Sequence, residues 1–213
     1  LMDVDGRPGE EVVLGTLTGD VKVLKKDLSG EVQGWREDID GSFLDLFSDN
    51  SSMFPMVGDI DRDGTNDLVI QSGSGHLYTY LYRRASEKNT WVRLKQNLQI
   101  PAGFAAAPTV FSATNRDTGL IETFLVSASI DGHLRLLRWN GSSFSSPLWD
   151  VKVADFVPGM VMVGQLDDDP ELELLLFNQR NELVRVDLLP DLTVASFSAY
   201  DRRSAQADFS PYI

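Results

Sequence analysis

Cysteine is absent from the 213-residue chain, which excludes disulfide staples, zinc held by thiolates and thiol nucleophiles. The compartment stays open, because secreted chains without cysteine are common. Basic residues are also scarce: Lys+Arg 19 stand against Asp+Glu 32, for a formal charge of -13. That balance disfavours phosphate backbones and anionic lipid surfaces and favours cations or basic partners, so nucleic acid is not an expected ligand. No apolar run reaches membrane-spanning length and no basic-then-apolar leader appears, so neither direct membrane insertion nor an export signal is expected from these residues. The chain starts at Leu1 rather than Met, and we expect the true N-terminus, with any signal it carried, to lie outside this sequence. With 42% hydrophobic residues, a core can form without covalent staples.

What the chain does have is an acidic stretch, Gly58 to Ile70, reading GDIDRDGTNDLVI. Counted from Asp59, acids stand at positions 1, 3, 5 and 9 (Asp59, Asp61, Asp63, Asp67), with Gly64 at position 6. In a tight turn alternate side chains converge, and glycine permits the bend that brings position 9 back. The cluster would repel itself unless something positive sat among the carboxylates. Calcium fits best, since it takes six to eight oxygens, and the backbone carbonyl of Thr65 at position 7 would complete the ring. An EF-hand opens the same way but needs Glu at position 12, where this chain has Ile70. The residues after Asp67, LVIQSGSGHLYTYLY, read as two strands around a Gly/Ser turn, so this loop joins strands rather than helices.

The pattern recurs without a gap. DVDGRPGEEVVLGTLTGDVKVL from Asp3 and QLDDDPELELLLFNQRNELVRV from Gln165 align with DIDRDGTNDLVIQSGSGHLYTY. In each copy position 9 is acidic (Glu11, Asp67, Glu173), three apolar residues follow, and the next strand opens at Val21, Leu77 and Leu183. An aromatic residue closes each unit at a fixed distance, at Trp35, Trp91 and Phe197. FLVSASIDGHLRLLRW carries a fourth hairpin, with Trp149 one residue late, but its loop RDTGLIETF has lost the acids. Apolar stretches ahead of the loops, MFPMVGD, APTVFSA and FVPGMVMVGQ, supply a first strand. Each unit then holds four short strands, the pattern of β-propeller blades, whose apolar faces are buried only by neighbouring blades. The expected fold is all-β, a propeller of four-stranded blades with about four present, at approximately 1–48, 49–103, 104–154 and 155–213. The tryptophans are expected to pack between blades.

DIDRDGTNDLVI resembles the FG-GAP repeat, also called VCBS, of integrin α-type propellers. The opening unit and PLWDVKVADFVPGMVMVGQLDDDPELELLL are similar to blades of intracellular scaffold members of that family. The resemblance covers four units and implies a calcium loop between the first two strands of a blade. Only Asp59 to Asp67 keeps the full pattern. Arg7 and Pro8 interrupt the first loop, where Arg7 can itself neutralise Asp3, Asp5 and Glu11. The last loop has Gln165 at position 1 and Pro170 at position 6, leaving Asp167, Asp169 and Glu173 as a weaker metal set. The resemblance further implies that the chain is a portion of a seven-bladed ring, while the closing ADFSPYI leaves a four-bladed ring, closed by a C-terminal strand, as the alternative.

His76 and His133 share a slot occupied by Asp20 and Glu182 in the other units, which reads as a polar turn position rather than a catalytic one. No catalytic residue is assigned. Two functions follow as expectations. One is a non-catalytic module that binds protein partners as a scaffold or adhesion unit, with calcium rigidifying at least one blade. The other is a carbohydrate-binding or enzyme-associated extracellular propeller domain, which calls for acids or a His–acid pair converging from different blades.

Overall fold

The computed structural model describes residues 11–19, 21–25, 51–83, 90–94, 98–100, 102–104, 106–115, 118–144, 147–153, 159–169, 171–177 and 183–199. All fourteen elements among them are strands. A two-stranded antiparallel sheet of β1 (Glu11–Gly15) and β2 (Val21–Lys25) comes first. Three four-stranded antiparallel sheets follow, each a meander in chain order. The second sheet holds β3 (Met53–Gly58), β4 (Asp67–Ser72), β5 (Leu77–Arg83) and β6 (Thr90–Leu94). The third holds β7 (Thr109–Thr114), β8 (Ile121–Ala128), β9 (His133–Arg138) and β10 (Trp149–Lys152). The fourth holds β11 (Met162–Gly164), β12 (Glu173–Phe177), β13 (Leu183–Leu188) and β14 (Val194–Ala199). Residues aligned in the sequence open corresponding strands: Glu11, Asp67 and Glu173 begin β1, β4 and β12, and Val21, Leu77 and Leu183 begin β2, β5 and β13.

Continuous apolar runs such as those of β4 and β8 arise because these sheets are covered on both faces. Successive side chains of a strand point to opposite faces, and here the two sets enter different cores. In the second sheet, Leu68, Ile70 and Tyr80 pack towards Val13 and Val21 of the first. The alternate residues Val69, Leu77 and Leu81 meet Leu125 and Leu137 of the third sheet. The other face of the third sheet, with Phe124, Val126, Leu134 and Leu136, meets Leu174, Leu176, Val184 and Val186 of the fourth. Slipping one strand by a single residue would exchange its two sets, so both cores together pin the register.

The first strands carry the stacking. β3 lies against β7, and β7 against β11, while β1 lies against β3. Pro55, which has no N–H for a ladder, sits in β3 at the edge of its sheet, where one side carries no partner strand among the described residues. Backbone and side-chain bonds stitch neighbouring sheets: Met53 N–H donates to the Thr16 carbonyl at 2.9 Å, and the Thr109 hydroxyl donates to the Val161 carbonyl.

The aromatic residues do not keep one register, although their sequence spacing is constant. Trp91 lies opposite Tyr82, five residues into β5, whereas Phe197 lies opposite Val186, three into β13, where a bulge shifts the pairing. Hairpin loops and bulges absorb such differences, which sequence spacing alone does not register. Trp149 lies opposite Leu136 and packs on the core between the third and fourth sheets. Its indole Nε1 donates to the Leu192 carbonyl of the fourth sheet at 2.7 Å. Trp149→Phe keeps a ring at that contact but loses the hydrogen bond, and a cost of about 1 kcal/mol is expected in urea unfolding. Trp35 lies outside the described residues.

Candidate metal loops

The loop between β3 and β4 is built around Asp67. This residue is fully buried, and its carboxylate replaces ladder partners at the end of β4. Oδ2 accepts the Ile60 N–H at 2.9 Å, closing the loop on itself, and Oδ1 accepts the Tyr82 N–H at 2.9 Å, tying it to β5. Asp59 closes the turn from the other end, accepting the N–H groups of Asp63 and Gly64, each at 3.0 Å. Two left-handed residues make the bend, Arg62 at φ 64° and Gly64 at φ 85°. For Gly64 this conformation carries no steric penalty.

Three of the carboxylates expected as ligands come together. Asp59, Asp61 and Asp67 each offer an oxygen, and the three oxygens lie within 4.8 Å of one another, so the group can hold a metal ion. Burial pushes the Asp67 carboxyl up to about 6, helped by the charge of Asp61 and opposed by the Tyr82 and Ile60 N–H groups. Asp61 Oδ1 is buried and receives no hydrogen bond among the described residues. A buried carboxylate oxygen without a donor is costly in this position, and a cation held by the group would satisfy it. The donors are all hard oxygens, which suits a cation that prefers oxygen ligands.

Asp63 departs from the expected arrangement. Its Oδ1 accepts both the N–H of Thr65, at 2.9 Å, and the Thr65 hydroxyl. Its Oδ2 faces Arg83 Nη1 at 3.1 Å. Against a desolvation penalty, those Thr65 bonds and the Arg83 charge hold its carboxyl below the ordinary aspartate range. Thr65 is engaged through its N–H and hydroxyl, bonds that leave unoccupied the role expected of its backbone carbonyl. Sequence reasoning missed Arg83. It ends β5, outside the loop, and its guanidinium also reaches Asp61 Oδ2 at 2.6 Å. No local pattern in the acidic stretch announces it.

The loop between β11 and β12 repeats two of these bonds at the aligned positions. Glu173 Oε2 accepts the Leu166 N–H at 2.6 Å, as Asp67 does from Ile60. Asp169 Oδ1 accepts the Glu171 N–H at 2.9 Å, as Asp63 does from Thr65. Asp167, Asp169 and Glu173 also bring oxygens within 4.8 Å of one another. Burial raises the Glu173 carboxyl above its ordinary range, aided by the charges of Asp167 and Asp169 and opposed by the Leu166 N–H and Arg185. Gln165, at the position of Asp59, turns inward to donate to the Asp167 carbonyl at 3.1 Å. This second set is more exposed than the first.

The loop ahead of β8 carries no such set among its described residues. Phe124 stands at the slot of Asp67, ten residues before Leu134 as Asp67 is ten before Leu77; it pairs with Arg138 in β9, is buried and is stacked on Phe111. An apolar ring there removes both the buried charge and the need for a counter-ion. Asp3 and Asp5 lie outside the described residues; Glu11 opens β1, and its side chain also lies outside them.

The histidines are held within single sheets. His76 Nδ1 lies 3.0 Å from Ser74 Oγ. His133 Nδ1 lies 2.6 Å from Asp150 Oδ1 on the neighbouring strand, and Asp150 also receives Arg135 Nε at 2.8 Å. Sequence reading missed this acid partner, which is seventeen residues away and adjacent only through β9–β10 pairing.

No helix among the described residues is long and apolar enough to cross a membrane. Comparison with known proteins adds no family: no protein-family model matches the chain, and no curated protein does so either.

Proposed function

We propose that the chain is part of an FG-GAP-type β-propeller that acts as a non-catalytic protein-interaction module, scaffold or adhesion, with calcium as a structural ion. The observation that carries this reading is the stacking of meander sheets through their first strands, β3 on β7 and β7 on β11. Four-stranded meanders that stack first strand to first strand suit blades arranged around an axis. The metal role follows from the ligands. In each candidate loop they come from one hairpin connection, which leaves little open coordination for a reacting substrate.

The enzyme-associated or carbohydrate-binding alternative calls for a convergent site between sheets. The His133–Asp150 pair spans neighbouring strands of one sheet and gives that alternative no support. The charge of -13 favours a partner with a basic surface.

Affinity purification of the full-length protein tests the reading, with stoichiometric protein companions as the expected result. Recovery of none, together with sugar binding or ester turnover by the pure protein, would reverse the assignment.

A further inference from the structure

On the reading of the β3–β4 loop as a calcium site, we propose that Arg83 is a built-in rival of the ion, a guanidinium that holds two ligand carboxylates and must release them for the full site to form. Arg83 Nη2 lies 2.6 Å from Asp61 Oδ2, and Nη1 lies 3.1 Å from Asp63 Oδ2 and 3.3 Å from the Tyr82 carbonyl. One side chain thus spans positions 3 and 5 of the loop. Asp61 is shared with the ligand group: Asp59, Asp61 and Asp67 bring oxygens together, while Asp63, the other carboxylate held by Arg83, is left out of that group.

Charge makes the two occupants exclusive. A divalent ion drawing on Asp61 and Asp63 competes for the oxygens that Arg83 holds, and the guanidinium repels the incoming cation at close range. The Arg83 side chain is 39% exposed, so it can withdraw into water at small cost once the ion has taken its partners. Asp63, freed in the same step, becomes available as the fourth carboxylate. The ion-free loop is meanwhile kept from self-repulsion by the arginine.

The β11–β12 loop reaches the same pairing by a different route. Arg185 Nη1 lies 2.9 Å from Asp167 Oδ2, the carboxylate aligned with Asp61. Arg185 comes from the third residue of β13, whereas Arg83 is the last of β5. Two arginines at unaligned positions thus neutralise the same loop position, so the pairing does not follow from the aligned sequence alone.

Calorimetric titration of calcium chloride into the full chain tests this, comparing wild type with Arg83→Met and Arg83→Lys. Methionine keeps the apolar stem and removes the charge; lysine keeps the charge but loses the two-pronged grip. Arg83→Met is expected to bind calcium roughly three- to tenfold more tightly, the scale set by part-exposed ion pairs, with Arg83→Lys in between. Equal or weaker binding by Arg83→Met, while wild type binds and Asp61→Asn does not, would overturn the rivalry and leave the calcium site standing. Absence of calcium binding by wild type would overturn both. If Arg83→Met does not fold, Arg83→Lys decides: unchanged or weaker affinity than wild type counts against the proposal.

Discussion

Asp67→Ala is expected to cost about 3 kcal/mol of stability in the presence of chelator at pH 7, since it orphans two backbone N–H groups in a buried position. Ile60 and Tyr82 both donate to this buried carboxylate, and alanine offers neither of them an acceptor. Part of the loss is offset because the substitution also removes a buried charge. The offset has a pH signature. The folded Asp67 carboxyl is raised to about 6 from 3.8, so the native state binds a proton that the unfolded chain does not between those values. The stability this contributes is present below the unfolded value and is lost as pH rises through about 6. The alanine variant lacks that gain. The difference between wild type and variant should therefore widen by about 1 kcal/mol between pH 7 and pH 5 in chelator. Urea unfolding at the two pH values measures it, and a gap that narrows on acidification would contradict the buried, raised carboxyl.

Calcium should raise the melting temperature of the wild-type chain. An ion that binds only the folded state at a hundredfold excess over its dissociation constant adds about 2.7 kcal/mol. For a chain of this size that corresponds to roughly 5–10 °C. Asp61→Ala should abolish the shift by removing the buried oxygen that has no hydrogen-bond donor, and Asp63→Ala should reduce it, because Asp63 adds only a fourth carboxylate to the three already gathered. Because the ligands must be ionised, the shift should also shrink as pH falls through about 6, where Asp67 takes up a proton. A melting temperature indifferent to millimolar calcium would end the assignment of the β3–β4 loop as a metal site.

The acidic positions are legible in the sequence because their work is local. Asp59 reaches the amides of Asp63 and Gly64 within its own turn, and Asp67 reaches back to Ile60. The strand openings at Asp67, Leu77, Glu173 and Leu183 were legible for a similar reason, since an acid followed by an apolar run marks where a loop ends. The loss of the site ahead of β8 was visible as missing acids. That the phenylalanine at the vacated slot is buried and stacked on Phe111 required the tertiary packing.

The rest lay beyond any local pattern. Arg83 meets Asp63 across twenty residues and Asp150 meets His133 across seventeen, each brought close by strand pairing. Trp91 and Phe197 close their units at the same spacing but in different registers, because hairpin loops and a bulge take up the difference.

By itself the sequence determined the strands, their alternation and the acids of each turn, since these depend on backbone geometry and on neighbours a few residues away. Only the tertiary structure decided which face of each sheet meets which neighbour, and which arginine answers each acidic turn. Those choices depend on contacts between chain segments far apart in sequence, where packing and charge act through space.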